Sequence, residues 1–439
     1  MIRRTPAPEI ERKMSIIYDL VFLIIGIAYL PVYVFRRKLH RGFLARLGFL
    51  PKGLSLGRPI WIHAVSVGEA MAIRGLLEGL RTIYPEKKFV ISTVTSTGNA
   101  IAKAASKEGD FVTYLPLDFS LVARGVIKRL NPSAFIIAET EIWPNLIACL
   151  YKKKIPVIIV NGRISDKSFR GYLSIKFLLR PTLTKINLFC VQTKRDAQRL
   201  VRLGVNEDKI NITGNMKFDS ALSKMDSFQL DGLRRNLGLR PSDKLWVCGS
   251  THPGEEDMVL YAYKELQREF PDLKLLLAPR HPERSADIAK IVSSFGFRSE
   301  FISRQPSKCS TCLTQPVFIL DTIGKLIYFY GIAEIVFVGG SLIEKGGHNI
   351  LEPAFLAKPV LFGPYMFNFR DIADLFLKNE AAVLINSKEE LQEKIKKFLQ
   401  NPQDALQLGQ RARDLILRNS GATKKSLELI KNNLRGHRE

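Results

Sequence analysis

The 439-residue chain is 46% hydrophobic and 25% charged, enough apolar content to bury a large core and too much for a disordered or fibrous protein. Its 66 Lys and Arg against 42 Asp and Glu leave a net charge of +24, which favours anionic partners. No zinc-finger spacing, RNA-binding aromatic signature or long Lys/Arg tract is present, which argues against nucleic acid, and five cysteines at irregular spacing (Cys149, Cys190, Cys248, Cys309, Cys312) make a poor disulfide framework and fit a reducing compartment.

Residues 14–35, MSIIYDLVFLIIGIAYLPVYVF, form an apolar run with one acid, Asp19, and are about long enough to cross a bilayer. Arg3, Arg4, Arg12 and Lys13 precede it; Arg36, Arg37, Lys38 and Arg41 follow. No small-residue cleavage site follows the run, so a retained N-terminal membrane anchor helix is expected, with the heavier basic cluster holding the rest on the cytoplasmic side. Asp19 and Pro31 are also compatible with a shallow helix lying in the membrane surface.

After a basic connector (42–59), PIWIHAVS (59–66) reads as a buried strand, GEAMAIRGLLEGLRTIY (68–84) as a helix, KFVISTVT (88–95) as a strand and STGNAIAKAAS (96–106) as a helix. FVTYLPLD, AFIIAET, VIIVNGR and NLFCVQT supply four more short apolar runs, each followed by a helical pattern. The stretch 219–244 is polar and non-periodic. The alternation then restarts with LWVCGS (245–250), LKLLLAP (273–279), VFIL (317–320), EIVFVGG (334–340) and PVLFGP (359–364). Short Val/Ile-rich strands alternating with helices predict α/β architecture: two doubly wound, Rossmann-like domains facing a cleft, their ligands at the carboxyl ends of the strands. The expected division is 1–50 for extension, anchor and connector, 51–225 for a first domain, and 226–439 for a second whose C-terminal helices pack back toward the first.

Chemistry-bearing residues fall at these strand ends. Gly68 suits a tight turn, and Glu69 opens a helix, where a partly desolvated carboxylate could serve as general base or simply complement the helix dipole. AETEIWPN (138–145) carries Glu139 and Glu141; two apart in an extended segment, they are expected to point to opposite faces. NGRISDKSFRGYLSIKFLLRP (161–181) interleaves five cations with aromatic residues, as an acidic lipid surface or an ordinary amphipathic helix would require. Lys217 follows a glycine turn and is either a neutralising cation or an exposed one. In the second strand set, GSTHPGEE (249–256) places Ser250 and His252 before a helix, and PRHPER brings Arg280 and His281. FVGGSLIEKGGHNILEP sets Gly340, Ser341, Gly347, His348, Asn349 and Glu352 in a glycine-rich turn whose backbone N–H groups suit a phosphate, although Asn349 and Glu352 also match a capping box. Pro353 allows the alternative that the helix begins there and leaves Glu352 free. No GxGxxG or Walker A sequence occurs, and the lone Cys309–Cys312 CxxC has no second pair to complete a zinc site.

WIHAVSVGE, ETEIWPN, NGRISDKSF, GNMKFD, GSTHPGEE, PRHPER and FVGGSLIEKGGHNILEP, in that order after an apolar N-terminal run, closely resemble the 3-deoxy-D-manno-octulosonic acid (Kdo) transferases of lipopolysaccharide assembly, over about residues 15–430. The resemblance implies a GT-B glycosyltransferase, inverting and without metal or other cofactor, at the inner face of the bacterial inner membrane, moving Kdo from CMP-Kdo to a lipid A precursor. It implies a general base at Glu69, family acids at Glu139 and Glu141, and neutralisation of the donor's carboxylate and phosphate by Lys217 and Arg280. Ser250 and His252 fall in its donor-side turn, with His281 and His348 beside them; Asn349 and Glu352 match the donor pair, with Glu352 at the ribose and the backbone of Gly340, Ser341 and Gly347 near the phosphate. Inner-membrane lipids are expected partners, nucleic acid and an obligate protein partner are not. The alternatives are a GT-B enzyme with another nucleotide sugar and a membrane-tethered protein that binds nucleotide or acidic lipid without catalysis.

Overall fold

The computed structural model describes residues 15–24, 26–28, 42–220, 227–304 and 316–436. It separates into two compact units, Met1–Ser220 with Ser420–Glu439, and Ala221–Asn419.

The first unit is built on a seven-stranded parallel sheet of β1 (Ile60–His63), β2 (Phe89–Thr93), β3 (Phe111–Tyr114), β4 (Ala134–Ala138), β5 (Val157–Gly162), β6 (Leu188–Val191) and β7 (Ile210–Ile212), in the order β3-β2-β1-β4-β5-β6-β7. Its strands are apolar at consecutive positions because both faces are covered. Trp61, Phe135, Ile137 and Ile159 enter one core cluster, whereas Ile60, Ile62, Ile136 and Ile158 enter the other. The second face includes Ile430 from the helix Ala422–Arg435, which lies against the helix Arg74–Ile83 at Gly79, where any Cβ would collide with Leu427. The last segment therefore belongs to the first unit, where the Asp219 carboxylate accepts from the N–H groups of Gly421 and Thr423 at that helix's start.

The second unit repeats the plan with β8 (Lys244–Thr251), β9 (Leu273–Pro279), β10 (Arg298–Phe301), β11 (Pro316–Ile319), β12 (Ile335–Val338), β13 (Val360–Phe362) and β14 (Val383–Leu384), ordered β10-β11-β9-β8-β12-β13-β14. Three short strands, β7, β10 and β14, were not apparent in the apolar pattern. Each lies at or next to a sheet edge with only partial burial, so INI, RSEF and VL need no long apolar run. In both sheets the order reverses once, between β1 and β4 and between β8 and β12, and these reversals leave a crevice at the strands' carboxyl ends.

The expected anchor is described at 15–24 and 26–28, which are helical; the rest of 14–35 lies outside the described residues, as do Cys309 and Cys312. Among the described residues no helix is long and apolar enough to cross a membrane. Asp19, the odd acid of that run, accepts from the Ser120 N–H (3.0 Å) and the Asn145 side-chain amide (2.7 Å), and Ser15 donates to Asn145 Oδ1 (2.8 Å). The charge thus serves the start of the helix Ser120–Leu130, docking the N-terminal helix onto the first unit.

Candidate active site

In the first unit, the carboxyl ends of β1 and β4 and the helix after β7 bring Glu69, Glu139, Glu141 and Lys217 into one electrostatic cluster. Glu69 is the third residue of the helix Val67–Ala72, capped by Ser66. Its Oε2 accepts from the Val65 N–H (2.7 Å) and its Oε1 from the Ser66 hydroxyl (2.9 Å). The helix-start role is therefore real, and it orients the carboxylate; each oxygen keeps a second lone pair. Burial raises the pKa of Glu69, offset in part by the Val65 hydrogen bond, while the charge of Glu139 raises it further and Lys217 lowers it. Gly68 has no left-handed backbone, and a Cβ there would find only Ser66 Oγ, at 4.0 Å, so the turn does not require glycine.

Glu139 and Glu141 do not diverge as an extended segment would demand. Glu139 sits at φ +57°, its N–H donating to the Val160 carbonyl, so the chain bends as it leaves β4. Its carboxylate pairs with Lys217 Nζ at 3.7 Å. Glu141 is pushed up to about 7, first by burial and then by repulsion from Glu69 and Glu139, and its own charge contributes to raising Tyr172 on the helix Asp166–Ser174. Lys217 is held in place because Asn161, at the end of β5 with φ +54°, accepts from the Met216 N–H through Oδ1 (3.0 Å). The basic stretch 161–181 splits into two helices, Asp166–Ser174 and Lys176–Leu183; Phe169 is buried and flanked by Arg199 and Arg202, whereas Phe177 is 73% exposed.

The second unit's crevice has the opposite character. Ser250 lies at φ +58° at the end of β8, and His252 follows. The Nε2 atoms of His252 and His348 are 2.9 Å apart with the rings parallel, so one nitrogen donates and the other accepts; His281 meets His252 edge-on at 6.0 Å between centroids. Burial, then Arg280, His252 and His281, hold His348 down near 4, and burial followed by His281, Lys345, Arg284 and Arg280 lowers His252. Arg280 is exposed at the end of β9, and Arg284 is committed to the buried Glu256 at 3.0 Å.

The glycine turn does not present a bare backbone cradle. Glu255, fully buried, accepts from the N–H groups of Gly340 (2.7 Å), Ser341 (3.0 Å), Leu342 (3.0 Å) and His252 (3.0 Å). Gly347 N–H donates to the Gly340 carbonyl, and the Ser341 hydroxyl, 0% exposed, bridges the Val338 carbonyl and the Gly363 N–H. The amides of Gly340, Ser341 and Gly347 expected at a phosphate are thus spent inside the protein. Gly339 is required here because a Cβ would lie 2.7 Å from the Ser250 carbonyl and 2.8 Å from Glu255. Asn349 and Glu352 do meet, but not as a capping box. Asn349 Nδ2 donates to Glu352 Oε1 (3.0 Å) and its Oδ1 accepts from the Leu351 N–H, so the helix begins at Leu351 rather than Pro353. Burial raises the pKa of Glu352 against that one hydrogen bond.

Sequence reasoning passed over Glu255 and Lys345, and did not connect Ser66 or Tyr172 with the acid cluster. Glu255 stood in the quoted GSTHPGEE, and the available signal was a second acid directly before Glu256 at a helix start.

A family model described as 3-Deoxy-D-manno-octulosonic-acid transferase (kdotransferase) matches residues 41–220. The chain is 36% identical over 374 residues to a 3-deoxy-D-manno-octulosonic acid transferase of Haemophilus influenzae, covering 85% of this chain and 86% of the relative. A Rickettsia felis protein of the same name is 34% identical over 360 residues, covering 82% and 75% respectively. Among solved structures, a UDP-GlcNAc 2-epimerase from Neisseria meningitidis superposes with a TM-score of 0.57 at 13% identity, over 85% of this chain and 100% of that one, a likeness of fold alone.

Proposed function

The chain belongs to the 3-deoxy-D-manno-octulosonic acid transferase family, and on that premise we propose that it is an inverting glycosyltransferase of GT-B type that moves Kdo from CMP-Kdo to a lipid A precursor. The observation that carries the mechanism is the acid cluster of the first unit. Glu69, oriented by Val65 and Ser66 and raised by burial, takes the proton of the acceptor hydroxyl as its oxygen bonds to the sugar's anomeric carbon. The bond from that carbon to the phosphate oxygen breaks, and CMP departs with the electron pair. Lys217 supplies fixed positive charge for the sugar carboxylate. In the second unit Arg280, His252, His281 and His348 are the groups proposed to bind the phosphate of CMP-Kdo, and Glu352, steadied by Asn349, its ribose hydroxyls. We place the enzyme at the cytoplasmic face of the inner membrane, attached through its N-terminal helix.

The test uses the full chain in detergent with CMP-Kdo and a tetraacylated lipid A precursor. Mass spectrometry is expected to find Kdo-lipid, with CMP released. Glu69→Gln is expected to lower kcat by roughly 10²–10⁴-fold, the usual contribution of a positioned base, with CMP binding unchanged. Undiminished turnover in Glu69→Gln removes Glu69 as the base, and no turnover in the wild type overturns the assignment.

A further inference from the structure

We propose that the first unit holds one acyl chain of an anionic bilayer phospholipid in a cavity walled by the N-terminal helix, a binding site separate from the acid cluster. The cavity has a volume of about 510 Å³, within the range of roughly 300–1,000 Å³ common for small-molecule sites. Ile17 and Val21 of the N-terminal helix form one wall; Ile127, Ala148, Leu178 and Leu179 form the others. On the helix Pro144–Lys152 the lining positions Asn145, Ala148, Cys149 and Lys152 recur at helical spacing, so the cavity follows that helix along its whole length, about 13 Å.

The two ends of this cavity differ in kind. At the start of the helices Ser120–Leu130 and Pro144–Lys152 it is bordered by the Ser15–Asn145–Asp19–Ser120 hydrogen bonds, whose groups are mutually satisfied. Asp118 beside them accepts from the Asn145 and Leu146 N–H groups, and burial pushes it up to about 6. At the far end Lys152 and Lys153 are exposed and have no acidic partner among the described residues, and Lys185 lies on the same lining. A largely apolar channel with Arg124 in its wall and Lys152, Lys153 and Lys185 toward the far end matches an acyl chain carrying a negative headgroup. At the mouth, Ile17, Val21, Ile175 and Leu178 are 42–61% exposed, apolar surface suited to the membrane from which such a lipid comes.

The direction of the cavity separates this lipid from the glycosyl acceptor. Both helices follow strands of a parallel sheet, so their starts lie at its carboxyl edge, where Glu69, Glu139 and Glu141 are. Lys152 and Lys153 stand at the opposite end. A headgroup seated on them is turned away from the acid cluster, which suits a resident lipid and not the molecule that must present a hydroxyl to Glu69.

The experiment uses the full chain in vesicles of phosphatidylcholine containing either a phosphatidylglycerol or a phosphatidylcholine probe with a diazirine on its palmitoyl chain. On illumination the phosphatidylglycerol probe is expected to label peptides of 144–153 and 176–183 in preference to the choline probe. Lys152→Glu with Lys153→Glu is expected to lower that labelling by about fivefold per charge, the worth of one cation at an anionic surface, without changing the melting curve. Ala148→Trp, which fills the channel, is expected to lower labelling by either probe. Equal labelling by both headgroups, labelling confined to the outward Ile16, Leu20 and Leu23, or displacement by a tetraacyl disaccharide acceptor but not by unlabelled phosphatidylglycerol would each overturn the proposal while leaving Kdo transfer untouched.

Discussion

Two crevices with the same backbone plan carry opposite charge. Each sits where a parallel sheet reverses its strand order, at β1/β4 in the first unit and β8/β12 in the second. The first gathers three carboxyl groups and one lysine; the second gathers three imidazoles, Arg280 and Lys345. Both also contain a glutamate just inside a helix start, and the pair makes the lesson sharp. Glu69 accepts two hydrogen bonds and remains half-buried, while Glu255 accepts four from backbone and is sealed. The same residue type at the same place in the fold keeps lone pairs free in one unit and spends them on backbone in the other, so what it can do follows from what occupies its lone pairs, not from the fold.

The largest expected effect tests that contrast. Glu255→Gln places an amide NH₂ against N–H donors that have lost an acceptor, at a side chain with no solvent exposure. Removing one partner of such a buried charged network costs about 3–5 kcal/mol, and urea unfolding is expected to show it together with weakened CMP binding. Glu69→Gln is expected to stay within about 1 kcal/mol of the wild type in the same measurement. Equal stability of the two variants would erase the distinction.

That contrast also marks how far the sequence could be read. The sheets were legible because covered parallel strands run apolar at consecutive positions, as IVFV does throughout and IWIH does up to His63. The acid cluster was legible residue by residue but not in its geometry. Nothing in AETEIW announces a left-handed Glu139, the bend that an extended reading of the segment misses. Glu255 was hidden because three of its four partners are 85 to 87 residues away, and a short-range pattern cannot tell a carboxylate complementing its own helix from one filling a distant turn. Asp19 misled in a similar way, since an acid in an apolar run gives no hint that it serves another helix.

A smaller effect reads the imidazole side. The folded pKa of His348 is depressed to about 4 from the ordinary 6.5, so the empty chain loses stability as pH falls below 6.5 toward 4. A phosphate beside His348 and His252 favours their charged forms and reverses the preference. CMP affinity is therefore expected to be higher at pH 6 than at pH 8, with proton uptake seen by calorimetry in buffers of different ionisation enthalpy. His348→Gln flattens the profile. No such dependence would leave Arg280 and Lys345 as the only contributors.

The smallest effect lies in the first unit and has the opposite sign. Glu141 is raised to about 7 from 4.5, so between those values the folded chain holds a proton that the unfolded chain releases. Stability contributed below pH 4.5 is lost as pH rises through 7. Glu141→Gln lacks this loss, and is expected to be more stable than the wild type at pH 8 by on the order of 1 kcal/mol, with the difference vanishing near pH 4.5. Because repulsion from Glu69 is part of the cause, Glu69→Gln is expected to move the Glu141 titration downward in a carboxyl ¹³C spectrum. A variant that gains stability while losing turnover marks a carboxyl group held against its own preference for the sake of the reaction. A Glu141→Gln chain less stable at pH 8 would instead make Glu141 a packing residue, and the acid cluster would reduce to Glu69 and the Glu139–Lys217 pair.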